Sequence, residues 1–182
     1  MRVEVADKPL AEVDAGLLAV LLFEGDDLPE PLAGAPGSED VRAGYKKTSL
    51  VHPESPRRAL VVGLGDREEF EPERARVAAA LASRNAGSLE ATSLALAGPQ
   101  SADAKSVASA MVEGAILASY RFDRFKTKKN GDGDDDAGRL EKISVIGDRA
   151  LAETVEASRI AAEAANFARE LQDLPSNVVT PS

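Results

Sequence analysis

The chain has 182 residues, a formal net charge of −9 and a pI near 4.8, with one His and no Cys. The absence of Cys excludes disulfides, thiolate metal sites and a Cys nucleophile, and a single His excludes a multi-His metal site within one chain. The acidic balance disfavours nonspecific binding to nucleic acid or to an anionic membrane, and no apolar run approaches the roughly 20 residues of a membrane span. A chain of this size buries roughly 70% of its unfolded surface, enough for one domain with an appendage or one large domain. Residues 1–9 (MRVEVADKP) carry charge throughout and read as a strand, not a signal peptide. A soluble cytoplasmic protein is expected.

In chain order, residues 2–6 alternate and predict an edge strand. Residues 17–23 (LLAVLLF) form a continuous apolar run, the pattern of a central strand buried on both faces. Residues 24–44 hold Pro29, Pro31, Pro36 and four Gly, and predict a loop with at most a short helical turn. Residues 46–52 predict a strand closed by Pro53, and residues 59–64 (ALVVGL) a second buried strand. Pro72 occupies the first position of a helix over 73–86, with Val77, Ala80 and Leu81 on its apolar face and Gly87 at C′. Residues 91–97 predict a third core strand, and residues 103–119 a helix with Val107, Ala110, Met111, Gly114, Leu117 and Ala118 at three/four spacing. Residues 128–138 (KKNGDGDDDAG) read as a solvated loop, and 142–146 as a strand. Asp148 caps a long final helix whose apolar stripe is Leu151, Val155, Ile160, Ala164, Phe167, Leu171 and Leu174. That stripe needs a cover, which predicts that the helix folds back on the sheet or pairs with another copy.

Strands and helices alternate from residue 59 onward. This predicts an α/β domain with a mixed, mostly parallel sheet and helices on both faces. The strand-rich first half adds some antiparallel edge pairing. The expected division is an amino-terminal domain over 1–147, then a linker helix and the start of a connection over 148–182.

Each candidate for chemistry has a simpler structural reading. Residues 61–66 (VVGLGD) follow a strand and precede a helix, the context of a phosphate turn. The third glycine is missing, and Asp66, Glu68 and Glu69 would repel a pyrophosphate, so a Gly-permitted strand end is the better reading. A calcium loop counted from Asp132 needs Gly sixth and Glu twelfth, where this chain has Ala137 and Ile143. His52 has no orienting carboxylate or nucleophile assigned by the sequence. Residues 120–128 (YRFDRFKTK) interleave aromatics with cations, as single-stranded nucleic-acid sites do. The competing reading packs Tyr120, Phe122 and Phe125 inward and leaves Arg121, Arg124 and Lys126 in water. Gly114 sits mid-helix at a cost of roughly 1 kcal/mol, which points to a close approach of another element.

Three segments together carry a family resemblance: 60–65 (LVVGLG), 113–128 (EGAILASYRFDRFKTK) and 166–181 (NFARELQDLPSNVVTP). In order and spacing they resemble the amino-terminal half of the leucyl aminopeptidase (cytosol aminopeptidase) family. The second segment is similar to that family's "EG…L..Y.F..YK" signature through Glu113, Gly114, Leu117, Tyr120, Phe122, Phe125 and Lys126. The third is similar to "N..R.L...P.N..TP" through Asn166, Arg169, Leu171, Pro175, Asn177, Thr180 and Pro181.

The resemblance implies a macro-domain-like α/β fold joined by a helix to a carboxy-terminal catalytic domain. It also implies a hexameric parent, and peptide hydrolysis in which two divalent metals, zinc or manganese, activate water. In the family the metal ligands and catalytic groups lie around a motif NTDAEGRL in the carboxy-terminal domain, and this chain has no such motif. Asp136-Ala137-Gly138-Arg139-Leu140 is a decoy that lacks the Glu. No catalytic, cofactor-binding or metal residue is therefore assigned, and the chain alone is expected to be inactive, with its own catalytic domain as partner. The competing functions are a free-standing macro-like module for nucleotides or ADP-ribose and a nucleic-acid accessory domain, the latter disfavoured by the charge.

Overall fold

The computed structural model describes residues 1–100, 103–122 and 139–175. The expected acidic loop over 128–138, Phe125, Lys126 and the tail with Asn177, Thr180 and Pro181 lie outside the described residues.

Six strands form one sheet: β1 (Arg2–Ala6), β2 (Leu17–Phe23), β3 (Thr48–Val51), β4 (Ala59–Gly65), β5 (Ser93–Ala97) and β6 (Lys142–Ile146). Their order is β1-β6-β5-β2-β4-β3, and every neighbouring pair is parallel except the antiparallel β3/β4 edge. The mixed, mostly parallel sheet is as the sequence predicts, and β1 is the edge strand expected. Every residue of β2 and β4 is buried, because both strands are covered above and below. Each fully buried Leu or Val there contributes roughly 1.5–3 kcal/mol over its exposed state.

The two faces are covered by different means. The face carrying Leu17, Ala19, Leu21, Leu60, Val62, Leu94, Leu96, Ile143 and Val145 packs under α1 (Pro72–Ser88), α2 (Ala104–Ala118) and α3 (Ala152–Asp173). The face carrying Leu18, Val20, Leu22, Ala59, Val61 and Ala95 packs under Leu32, Val13 and the irregular segments around them. The helical cover on that side amounts to short 3-10 turns at Leu10–Glu12 and Ser38–Asp40. Among the described residues all three α-helices thus share one face, and the Pro- and Gly-rich segment 24–44 takes the place of a helical layer on the other. Where β1 and β6 run beyond this loop cover, Glu4 lies 2.8 Å from both Lys142 and Arg2. The Lys142 hydrogen bond, helped by Arg2, holds the Glu4 carboxyl below its ordinary range.

The helix faces differ from expectation in an instructive way. In α1 the buried side chains are Ala75, Ala78, Ala79, Ala82, Ser83 and Ala86, whereas Val77, Ala80 and Leu81 are half-buried. Small side chains take the interior because α1 lies very close to α2. A Cβ on Gly114 would sit 2.1 Å from the Arg76 carbonyl oxygen, so this crossing requires glycine. Gly87 is not at C′, because α1 runs through it to Ser88. The left-handed position falls to Glu90, with φ 53°. The Ala91 N–H donates to Ala86 O and the Glu90 N–H to Gly87 O, at 2.9 and 3.2 Å, which completes a Schellman-type end.

Candidate functional site: the joint between the second and third helices

A helix leaves its last carbonyls without intrahelical donors. α2 ends at Ala118, and α3 supplies what is missing. Asn166 Nδ2 donates to the Ile116 carbonyl at 2.9 Å, and Arg169 Nη1 donates to the Leu117 carbonyl at 3.2 Å. Arg169 also donates to Asn166 Oδ1 at 3.3 Å, which orients the amide. One turn on, Tyr120 Oη donates to Asp173 Oδ2 at 2.8 Å. Partial burial and the Asp173 carboxylate push the Tyr120 phenol up to about 12. Tyr120 of one signature segment and Asn166 and Arg169 of the other are therefore joined at one place.

The other end of the same joint is polar and partly buried. Arg76 of α1 pairs with Glu113 of α2 at 2.6 Å, and Ser109 Oγ donates to Glu113 at 3.2 Å. Ser158 Oγ of α3 lies 2.7 Å from Ser109 Oγ. Glu113 and Gly114 thus serve the α1 contact, one by charge and one by having no side chain, while the α2 end of the same signature serves α3. At the start of α3, Asp148 accepts from Ala150 N–H at 2.7 Å and caps a 3-10 turn (Arg149–Leu151) that runs directly into the helix.

α3 folds back as expected, seated on α2 and β1, but of the expected stripe only Val155 is buried among the described residues. Its inner face is Val155, Ser158 and Ala162, followed by half-buried Asn166. Ile160, Phe167 and Leu171 are 55%, 60% and 44% exposed. An open cleft of about 1040 Å³ borders the joint, lined among others by Met1, Ile116, Tyr120, Leu140, Asn166 and Phe167. Its charged rim mixes Arg2, Arg121 and Arg139 with Glu141, Glu163 and Glu170, so it has no single preference for cation or anion.

The remaining candidates resolve structurally. Gly63 and Gly65 are filled by the chain itself. A Cβ on Gly63 would meet Gly44 O at 2.1 Å, and the Gly65 N–H donates to Ala43 O at 3.0 Å. Asp66 accepts from the Glu68 N–H at 2.8 Å, and Arg74 donates to Leu64 O at 3.0 Å while its guanidinium lies 4.6 Å over the Tyr45 ring. The strand end is a closed, hydrogen-bonded corner with no phosphate cradle. His52 is exposed, and its backbone N–H donates to Pro36 O at 2.9 Å. Of the aromatic–basic run, Tyr120 and Phe122 are half-buried and Arg121 is exposed, while residues 123–128 lie outside the described residues. Among the described residues no group of three or more His, Cys, Asp or Glu could hold a metal ion. These residues do not fit a metal centre, and no metal-dependent step is assigned to them. Among the described residues, too, no helix is long and apolar enough to cross a membrane.

The fold and the joint define a class: an α/β domain with a six-stranded, mostly parallel sheet whose last described helix is clamped to the helix before it. The chain belongs to the cytosol aminopeptidase family, whose N-terminal domain it matches over residues 32–129. It is similar to the probable cytosol aminopeptidase of Roseiflexus castenholzii, with 32% identity over 100% of this chain and 38% of the relative. It is also similar to that of Nitratidesulfovibrio vulgaris, with 34% identity over 97% of this chain and 36% of the relative. It therefore spans well under half the length of these curated relatives. Among solved structures, a mutant tomato leucine aminopeptidase matches all of this chain and 40% of its own, with TM-score 0.75 and 22% identity. The bottromycin maturation enzyme BotP matches 92% of this chain and 35% of its own, with TM-score 0.71 and 24% identity. At such identities these two speak for the fold alone.

Proposed function

We propose that this chain is the non-catalytic amino-terminal domain of a metal-dependent leucyl aminopeptidase and that it serves assembly or regulation of that enzyme. The observation that carries the reading is the joint itself. Tyr120 from one family signature and Asn166 and Arg169 from the other spend their chemistry on fixing α3 to the end of α2, while Glu113 and Gly114 hold α2 against α1. A long helix held this firmly sets the direction in which the following polypeptide leaves.

In this reading residues 1–147 form the domain and residues 148–182 the linker helix and the approach to a carboxy-terminal catalytic half. Two divalent ions, manganese or zinc, belong to that half, as do the groups that remove amino-terminal residues from peptides. No catalytic, cofactor or metal residue is assigned to this chain. The parent is a cytoplasmic hexamer. These statements rest on family membership and on the match covering 38% of a relative's length.

The test compares this chain with the polypeptide extended through the downstream reading frame. The extended protein should hydrolyse leucine p-nitroanilide with manganese and lose that activity to a chelator, and the 182-residue chain should show none. Chelator-sensitive hydrolysis by the 182-residue chain alone would overturn the proposal.

A further inference from the structure

α3 is built in two unlike halves. From Ala152 to Asn166 it is seated on α2 and β1, with Val155, Ser158 and Ala162 buried and Asn166 half-buried. From Phe167 to Asp173 every residue is exposed. This second half makes about two turns. The open cleft runs along it, lined there by Phe167 and Glu170. Two side-chain ties join it to the end of α2. Arg169 Nη1 donates to the Leu117 carbonyl at 3.2 Å, and Tyr120 Oη donates to Asp173 Oδ2 at 2.8 Å.

The helix itself gives this half little support. A helix C-terminus carries partial negative charge, so cations stabilise it and carboxylates oppose it. The last turn of α3 has no basic residue and ends on Asp173. Glu170 lies three residues before it, a like charge on the same side of the helix. Nothing within α3 favours a carboxylate at 173, whereas the Tyr120 hydroxyl does. The two halves therefore open at different cost. Opening the seated half exposes Val155 and Ala162 to water, and opening the other breaks two hydrogen bonds and exposes no buried side chain.

We propose that Phe167–Asp173 is a strap that opens and closes as a unit on the seated half, with Tyr120 and Asp173 as its latch and Asn166 at its hinge. Closed, the strap continues the line of α3. Open, it releases Leu174 and Pro175 from that line. The direction in which the chain leaves the domain is then controlled by one hydrogen bond between two side chains. This goes beyond the function proposed above and does not depend on it.

The test is backbone amide exchange of the 182-residue chain, resolved by residue with NMR. In the unmodified chain amides 168–173 should be protected at least about tenfold less than amides 158–166, as a separately opening unit requires. Tyr120→Phe should lower the protection of 168–173 about tenfold further, the loss expected of one hydrogen bond to a charged group, and leave 158–166 unchanged. Asp173→Ala should lower the protection of 168–173 in the unmodified chain. In Tyr120→Phe it should raise it, because the carboxylate there only opposes the helix end. Equal protection of the two halves in the unmodified chain would overturn the proposal. So would a Tyr120→Phe variant that affects neither half or both alike, or an Asp173→Ala effect of the same sign in both backgrounds.

Discussion

Asn166 and Ile116, fifty residues apart, meet through a 2.9 Å hydrogen bond from the side-chain amide to the backbone carbonyl. This bond stitches the middle of α3 to the C-terminal end of α2. Asn166→Ala should cost about 1 kcal/mol, the usual net worth of such a bond. Asn166→Asp should cost more, because a carboxylate would then face a carbonyl oxygen and lose the donor. Urea unfolding of the chain, with unchanged slope, is the measurement. Equal stability of all three proteins would show that the bond does not hold the joint.

Gly114→Ala tests the other signature. The new Cβ would sit 2.1 Å from Arg76 O, a backbone atom that no rotamer change can move away. α1 and α2 must separate, and overpacking of this kind costs roughly 1–3 kcal/mol or more. For a chain of this size that is roughly 2–12 °C in melting temperature. A melting point within a degree of the parent would mean that the helices slide apart freely.

Glu90 is a non-glycine residue with φ 53° at the left-handed end of α1. Glu90→Gly should stabilise the protein by roughly 0.5–1 kcal/mol, the relief of left-handed strain less the greater freedom of glycine in the unfolded chain. Denaturant midpoints compare the two directly, and a lower midpoint for the glycine variant contradicts the assignment.

Ser83 Oγ is buried on α1 with no hydrogen-bond partner among the described residues. Ser83→Ala should be neutral or stabilising by up to about 1 kcal/mol, since it removes a desolvated hydroxyl and keeps the small volume. A loss of more than that would reveal an acceptor for the hydroxyl.

Tyr120 makes a pH prediction. Its phenol is raised from the ordinary value near 10 to about 12 by partial burial and by Asp173. Below the unfolded value both states keep the proton and the contribution is whole. As pH rises, the unfolded chain releases its proton first, so stability falls through the window from about 10 to about 12. Ultraviolet titration should show a late phenol, and Tyr120→Phe should remove it. A late phenol that survives in Tyr120→Phe would assign it to Tyr45.

Much of this was legible in the chain. The apolar runs of β2 and β4 are too long and too continuous for anything but doubly covered strands. Pro72, Asp103 and Asp148 mark helix or turn starts by local chemistry that needs no distant partner. The two signatures were also legible, and Gly114 announced a close approach without naming Arg76 as its partner. The helix faces were not. In α1 and α3 the larger apolar residues suggested one face, and the interior took alanines, serines and an asparagine instead. Periodicity reports where apolar residues recur, whereas the distance to the neighbouring helix decides which side chains fit.

The sequence by itself determined the elements, because strand runs, caps and breakers act within a few residues of themselves. It also determined the family, because the spacing of Glu113, Gly114, Tyr120, Asn166 and Arg169 is a property of the chain. The tertiary structure alone decided that Tyr120, Asn166 and Arg169 form one joint, that the 63–65 turn is closed by residues 43–45, and that Ile160, Phe167 and Leu171 of α3 are exposed among the described residues. Those facts depend on how closely α1, α2 and α3 approach one another across the sheet. Such distances are set by packing among residues far apart in the chain, which local patterning does not encode.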